Sequence, residues 1–212
     1  MIGRIQKYLY LFVFIVMYSC ITNSSKTELL TGDLLFRGES GSDLSEAIDQ
    51  VTQTDAATHY SHVGLVKISG DSVFVLHAST TKGTCQVSLS EFLHPEGDTV
   101  QVIAYRLKEP WQAAIPAAVQ RAENMMGKPY NFSYILSDSS HYCSEFIYRA
   151  FEPDSVFMLN PMTFKDPGTG DFLPTWIEYY KNLGMEIPEG QPGCNPNGLA
   201  ASDKLTRIGL VK

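Results

Sequence analysis

A cysteine near the start of a helical pattern is the first residue that could do chemistry. Cys143 lies in SSHYCSEFIYRAF, residues 139–151, and apolar side chains follow it at positions +3, +4, +7 and +8. This spacing predicts an amphipathic helix, with Asp138, Ser139 or Ser140 as its cap. A thiol in the first turn lies at the positive end of the helix dipole, which lowers its pKa. Cys143 is thus a candidate nucleophile, although a buried core cysteine, a disulfide partner or a metal ligand would fit the same pattern.

A cysteine nucleophile needs a base, and the best candidate lies on a predicted strand upstream. Residues 61–68 and 72–79 are both apolar, β-prone runs separated by Ser69-Gly70-Asp71. A two-residue type II′ turn at Gly70-Asp71 would join them into a hairpin in which Ser69 faces Ser72. The same register places Gly64 opposite His77 and His62 opposite Ser79, so both histidines lie on one face as diagonal neighbours.

The two histidines have distinct expected roles. His62 is the candidate general base, and His77 is the candidate third residue that orients the His62 ring. Ser79 is a rival for that third position. Gly64, which has no side chain, is expected to leave room for the His77 ring. As an alternative, either histidine could be a structural residue that packs on the face of the strand and has no catalytic role.

Metal binding would be a competing use of these side chains. A zinc set can be drawn, but it lacks the close local pairs typical of zinc sites, and we expect neither a metal nor another cofactor. His59, His94 and His141 are interpreted as loop residues, and Glu145 as a solvated or helix-dipole carboxylate. We expect Tyr130, Tyr142 and Ser61 to contact substrate. The drawn zinc set consists of His59, His62, His77, His141 and Cys143.

The N-terminus resembles a bacterial lipoprotein signal. Residues 1–19 have a basic start and an uncharged apolar run that is too short to span a bilayer, and Cys20 follows at once. We expect residues 1–19 to be removed, Cys20 to be lipidated, residues 20–28 to form a polar tether, and residues 29–212 to form one domain. An ordinary secretory signal or an uncleaved anchor is the alternative. The expected location is the bacterial cell envelope, where the lipid holds the protein to the membrane.

Charge and cysteine count narrow the function further. The 212-residue chain has a net charge of −7 and no cluster of Lys and Arg, which argues against nucleic-acid binding. Beyond Cys20 there are three cysteines, an odd number that suggests a free thiol in an exported protein. A disulfide between Cys85 and Cys194 would leave Cys143 free, and this pairing stays open.

The remaining pattern predicts a small number of helices and strands around these residues. Strands are expected within 31–38 and 99–107, a helix within 42–58 capped by Ser42 or Asp43, and a helix within 113–127. Residues 172–184 are expected to hold a short strand or helix, residues 188–199 a loop, and residues 203–211 an edge strand.

Four stretches together resemble a known family. GDLLF at 32–36, SHVGLV at 61–66, HA at 77–78, and KPY at 128–130 with YCSEF at 142–146 are similar to the YiiX/YaeF-like proteins. These are circularly permuted members of the NlpC-type papain-like superfamily, in which the histidine strand precedes the cysteine helix. The resemblance implies an α+β fold whose antiparallel sheet packs against the cysteine-bearing helix. It also implies Cys143 as nucleophile, His62 as base and His77 as the variable third residue.

We therefore expect a cell-envelope cysteine hydrolase that cleaves a peptide-like amide bond, such as one in the cell wall, through a Cys-His-His arrangement. An acyltransferase or lipase-like enzyme acting on lipid is one alternative. A non-catalytic lipoprotein of the same fold that binds lipid or peptide is another. The sequence leaves the oligomeric state open.

Overall fold

A six-stranded antiparallel sheet is the centre of the fold. A computed structural model describes residues 27–38, 42–95 and 100–212. The strands are β1 (Leu34–Arg37), β2 (His62–Ser69), β3 (Ser72–Ser79), β4 (Gly83–Ser88), β5 (Val102–Leu107), β6 (Asn160–Pro161), β7 (Pro192–Gly193) and β8 (Leu205–Val211). The large sheet has the order β4-β3-β2-β1-β5-β8, and β6 pairs with β7 alone.

Six α-helices lie in the described part of the chain. They are α1 (Asp43–Val51), α2 (Leu89–Leu93), α3 (Ile115–Asn124), α4 (Cys143–Phe151), α5 (Pro174–Leu183) and α6 (Pro196–Ala200). Helix α4 packs on the sheet, as the resemblance implied, and the α+β prediction is confirmed. None of the helices in the described ranges is long and apolar enough to cross a membrane.

The hairpin that carries the two histidines forms in the predicted register. Ser69 faces Ser72, and the β2–β3 pairing runs from there to Leu65 and Leu76. Gly70 has a φ of +56°, which suits the first central position of a type II′ turn. Beyond Leu65, β2 remains paired with β1 on its other side, where Arg37 faces His62. The end of β2 near His62 is therefore held by β1.

The two faces of the sheet bury different sets of side chains. Val63 and Leu65 of β2 belong to the core under α3 and α4. Val66 lies on the opposite face, in a second core with Phe92 of α2. Because side chains alternate along a strand, His62 shares the Phe92 face, and its ring centroid is 5.7 Å from that of Phe92. The sheet thus separates the body of α4 from the imidazole rings.

Several local expectations are wrong. The cap of α4 is Tyr142, not Asp138, Ser139 or Ser140, because the Glu145 carboxylate accepts a hydrogen bond from the Tyr142 N–H at 3.3 Å. Residues 188–199 are not a plain loop, since they contain β7 and most of α6. Strand β4 and helix α2 were not among the predicted elements. The predicted signal at 1–19, Cys20 and most of the 20–28 tether lie outside the described residues.

The turn before β4 depends on a glycine, and this generates a stability prediction. Gly83 has a φ of +67°, and a Cβ there would lie 2.2 Å from the Lys128 carbonyl oxygen. That carbonyl accepts the Thr84 N–H at 2.8 Å, so the two segments cannot separate without loss of the bond. We expect Gly83→Ala to lower the free energy of unfolding for two reasons, the strain of a left-handed backbone and the clash with the Lys128 carbonyl. The clash alone is expected to cost about 1–3 kcal/mol. Urea denaturation measures this loss as a lower midpoint, with the dependence of the unfolding free energy on urea concentration unchanged.

Gly70→Ala is the matched control. Gly70 also has a positive φ, of +56°, but a Cβ at this position would have none of the described residues, other than its chain neighbours, within 4 Å. Only the backbone strain applies there, and its cost is about 1–2 kcal/mol. Equal losses for the two variants would contradict the close approach between Gly83 and Lys128.

Candidate active site

The thiol of Cys143 lies at the start of α4, beside the end of β2. Cys143 is 5% exposed, and its Sγ is 4.0 Å from the Ser61 carbonyl oxygen. The N–H groups of Val63 and Ser144 also point at the sulfur. Ser61 and Val63 flank His62 in the chain, so the first turn of α4 and the backbone around His62 meet at this point.

The two predicted imidazoles are hydrogen-bonded to each other. His62 Nε2 is 2.8 Å from His77 Nδ1, and the two rings are nearly perpendicular, at 86°. Phe92 packs against both rings, with centroid distances of 5.7 and 5.3 Å. Because Nε2 of His62 is bonded to His77, its Nδ1 is the nitrogen left to exchange a proton with a thiol.

Two expectations about the surroundings of these rings are wrong. A Cβ on Gly64 would lie 2.5 Å from Val75 and 2.9 Å from Phe92, so this glycine makes room for those side chains and not for His77. The Ser79 hydroxyl bonds within its own turn, to Thr81 Oγ1 at 3.1 Å and to the N–H groups of Thr81 and Lys82. Ser79 is therefore occupied as a turn residue.

The resting thiol is not a low-pKa thiolate. Burial raises the pKa of Cys143 to about 11, and the N–H groups of Ser144 and Val63 oppose this shift only in part. The expectation of a lowered pKa at the helix start is wrong, because the loss of hydration outweighs the first-turn N–H groups. Among the described residues, the thiol's hydrogen bond goes to the Ser61 carbonyl and not to an imidazole.

The histidines are likewise held neutral. Burial, followed by the charges of Arg37 and His77, lowers the pKa of His62 well below its ordinary value of 6.5. Burial, followed by Arg37 and Lys82, lowers the pKa of His77 to about 3. The thiol and both imidazoles are thus held in their neutral forms, which is the starting state for general-base activation and not for a preformed ion pair.

Two cavities meet at this site. Cys143 lines a mostly apolar cavity of about 280 Å³, together with aromatic side chains that include Tyr142 and Trp176. His62 and His77 line a larger and more polar cleft of about 830 Å³. The wall between the two cavities belongs to both, and it consists of Ile48, Ser61, Tyr130 and Tyr134.

The predicted substrate contacts all line these cavities. Tyr130 and Ser61 border both spaces, and the N–H of Cys143 points at the Tyr130 hydroxyl oxygen. Burial raises the pKa of Tyr130 well above its usual value. Tyr142 lines only the apolar cavity, and its hydroxyl accepts the Cys194 N–H at 3.3 Å.

The other cysteines and histidines have separate positions. All three described cysteines are free thiols; Cys85 contacts His77, whereas Cys194 contacts Tyr142. His59 bonds Asp49 at 2.8 Å, and His94 bonds the Ser90 carbonyl. The described ranges hold no group of three or more His, Cys, Asp or Glu side chains that could bind a metal ion.

Sequence reasoning missed several residues that complete the site. Arg37 lies over the Phe92 ring at 4.9 Å and affects the pKa values of both histidines. Cys85 faces His77 across β3 and β4. The alternation in GTCQVS at 83–88 could have indicated β4 and hence the position of Cys85, but no signal indicated the role of Arg37.

Of the two interpretations of Glu145, the solvated carboxylate is wrong, whereas its position in the first turn of α4 agrees with a helix-dipole carboxylate. Glu145 is fully buried, not solvated, and accepts hydrogen bonds from the Ser137 N–H at 2.7 Å and from Asn131 Nδ2 at 3.1 Å. Its donors come from the loop that precedes α4, so this side chain connects that loop to the helix that carries Cys143.

Known proteins share both the sequence pattern and the fold. The family model for permuted papain-like amidase enzymes, YaeF/YiiX or C92, matches residues 28–209. The uncharacterized protein YiiX of Escherichia coli (strain K12) is 29% identical over 123 residues, which are 58% of this chain and 57% of that protein.

A solved structure has the same fold. The crystal structure of the metalloprotein YiiX from Escherichia coli O157:H7 matches with a TM-score of 0.67 at 24% identity, over 84% of this chain and 96% of that one. The family match covers nearly all of the described residues, and it includes both the histidine strand and the cysteine helix. The chain therefore belongs to the YaeF/YiiX family of permuted papain-like amidases.

Proposed function

We propose that the protein is a cysteine amidase in which Cys143 is the nucleophile, His62 the general base and His77 the residue that orients His62. The observation that carries this proposal is the 2.8 Å hydrogen bond between His62 Nε2 and His77 Nδ1. His62 begins β2, and the Cys143 sulfur contacts the carbonyl oxygen of Ser61, the residue just before it. This bond leaves His62 Nδ1 as the atom that receives the thiol proton.

The reaction proceeds through an acyl-enzyme. As Sγ bonds to the substrate carbonyl carbon, the thiol proton moves to His62 Nδ1, and the N–H groups at the start of α4 stabilise the oxyanion. The carbon–nitrogen bond then breaks, and His62 returns the proton to the departing amine. A water molecule, deprotonated by His62, hydrolyses the thioester and regenerates the thiol.

The apolar cavity supports a second candidate, an enzyme that acts on lipid-like acyl groups. Cys143 lines that cavity with Ile48, Val51 and Trp176, whereas the histidines face the polar cleft. An acyl chain would occupy the first space and a polar leaving group the second. A binding protein that has lost catalysis would use the same cavities.

We also propose that the protein is attached to the bacterial cell envelope through a lipid on Cys20. The support is the N-terminal pattern alone, a basic start and a short apolar run before the cysteine.

The first prediction from the proposed function tests the roles of Cys143 and His62. With an N-acylated amino-acid 4-nitroanilide as probe, we expect Cys143→Ala to abolish turnover and His62→Ala to lower it about 10²–10⁴-fold, because proton transfer contributes that much. His94→Ala is the matched histidine control, since His94 is exposed, follows the last residue of α2 and bonds the carbonyl of Ser90 in that helix. Unchanged turnover in His62→Ala would exclude the proposed base.

The pH profile is a second prediction. Protonated His62 cannot accept the thiol proton, and its pKa lies well below 6.5. Activity is therefore expected to persist as the pH falls through 6.5 and to decline only below it. The acid limb of kcat/KM for the same probe measures this, and a limb centred at or above 6.5 would contradict a buried neutral base.

A third prediction separates the two substrate classes. On 4-nitrophenyl esters from acetate to octanoate, an enzyme that buries the acyl chain gains about 0.8 kcal/mol, roughly fourfold in kcat/KM, per methylene. Val51→Trp would fill part of the cavity and remove this gain, whereas Ile177→Trp, at a half-exposed position on α5, would keep it. If kcat/KM does not change along the ester series and peptide-like anilides are the better substrates, the amidase proposal is favoured over the lipid-acting candidate.

A fourth prediction concerns the anchor. When the full chain is expressed in bacteria with labelled palmitate, we expect label and membrane association that Cys20→Ala removes. Cys194→Ser is the matched cysteine control and should retain both. Label that persists in Cys20→Ala would contradict attachment at that cysteine.

A further inference from the structure

His77 has a second contact in addition to its hydrogen bond with His62. His77 Nε2, the nitrogen not bonded to His62, is 3.5 Å from the sulfur of Cys85. His77 and Cys85 face each other directly across the β3–β4 pairing, so the backbone register places the two side chains on the same side of the sheet. The described contacts thus form an ordered series from His62 through His77 to Cys85.

The position of one proton in this series decides whether His62 can act as a base. If His77 carries its proton on Nε2, its Nδ1 accepts the Nε2–H of His62, and Nδ1 of His62 keeps a free lone pair. If His77 instead carries its proton on Nδ1, it donates to His62 Nε2. The proton of neutral His62 then lies on Nδ1, which can no longer accept one from Cys143.

The productive arrangement requires an acceptor for the His77 Nε2–H. His77 is 6% exposed, and an unpaired N–H in such a place carries a desolvation cost. The Cys85 sulfur is the partner that the described residues offer to this nitrogen. A thiol sulfur is a weak acceptor, so its effect is on which nitrogen holds the proton, more than on overall stability.

The chemistry around Cys85 suits this role better than that of a nucleophile. Cys85 lies on the α2 face of the sheet, packed beside the core that contains Phe92, and it lines neither cavity. Burial raises the pKa of its thiol, so it remains uncharged beside His77 at neutral pH. An uncharged thiol can accept the Nε2–H of His77 without drawing a second proton onto the ring, and in that role it favours the tautomer protonated on Nε2.

We propose that Cys85 is a positioning residue whose sulfur accepts the Nε2–H of His77, and thereby selects the His77 tautomer in which His62 can deprotonate Cys143. This inference rests on the proposed function, because it assigns Cys85 a part in the same proton transfer. Cys85 itself does not touch the reacting atoms.

The test uses a pair of variants with the same shape. Cys85→Val removes the acceptor and places a β-branched side chain in the strand, whereas Cys85→Thr restores an oxygen acceptor in that shape. We expect Cys85→Val to lower kcat on the 4-nitroanilide probe about three- to tenfold with an unchanged KM, as for the loss of one modest hydrogen bond, and Cys85→Thr to recover most of it. Thermal unfolding of both variants controls for loss of structure.

Nitrogen NMR of the labelled full chain reads the tautomer directly. We expect the wild type and Cys85→Thr to show His77 with a protonated Nε2 and an unprotonated Nδ1, and Cys85→Val to show a mixture of the two tautomers. A wild-type His77 protonated on Nδ1 overturns the proposal. A Cys85→Val variant in which kcat and the tautomer do not both change also overturns it.

The two hypotheses fail in different ways. If wild-type turnover does not depend on Cys143 or His62, the proposed function fails, and the NMR spectra alone decide whether Cys85 sets the His77 tautomer. If turnover depends on both residues but the tautomer in Cys85→Val equals that of the wild type, only the role of Cys85 fails.

Discussion

The buried carboxylate of Glu145 is the constraint on which the geometry of the site depends. A fully buried carboxylate must be hydrogen-bonded, because its transfer from water is otherwise costly. Its three donors are the Ser137 N–H, the Tyr142 N–H and Asn131 Nδ2. All three belong to the segment between α3 and α4, so the need to satisfy one side chain folds that segment against the first turn of α4. The backbone closes the same segment, since the Asn131 N–H donates to the His141 carbonyl.

The consequence reaches the thiol directly. The segment that Glu145 holds also carries Tyr130 and Tyr134, which form part of the wall between the two cavities. With those rings in place, little water reaches Cys143, and burial raises its pKa while it lowers that of His62. Low hydration thus favours the neutral forms of both groups. In the proposed mechanism, charge develops only when a substrate carbonyl supplies a site for it, so that activation of the thiol is coupled to binding.

The sequence predicted the parts of this site that local pattern controls. Alternating apolar residues and the Gly70-Asp71 turn specified the β2–β3 register, and with it the proximity of His62 to His77. Helical spacing placed Cys143 in the first turn of α4. The burial of Glu145 could not be read in the same way, because its donors are side-chain and loop groups whose position depends on tertiary packing. The predicted direction of the thiol pKa was wrong for the same reason, since the dipole is local whereas hydration is not.

The residues that lead into His62, the proposed base, are held by a residue near the far end of the chain. Asn197, on α6, is fully buried; its side-chain oxygen accepts the Tyr60 N–H at 2.9 Å, and its amide donates to Asp49 on α1 at 3.0 Å. A Pro-, Gly- and Asn-rich stretch without helical periodicity thus fixes the residues that lead into His62. The bond between Asn197 and Tyr60 joins residues 137 apart in the chain. The Cys143 sulfur and the Ser61 carbonyl oxygen, 82 residues apart, also meet by packing and not by direct chain connection. Because this contact between the start of α4 and the residues before β2 is made by packing, it does not require the two elements to follow one particular order along the chain.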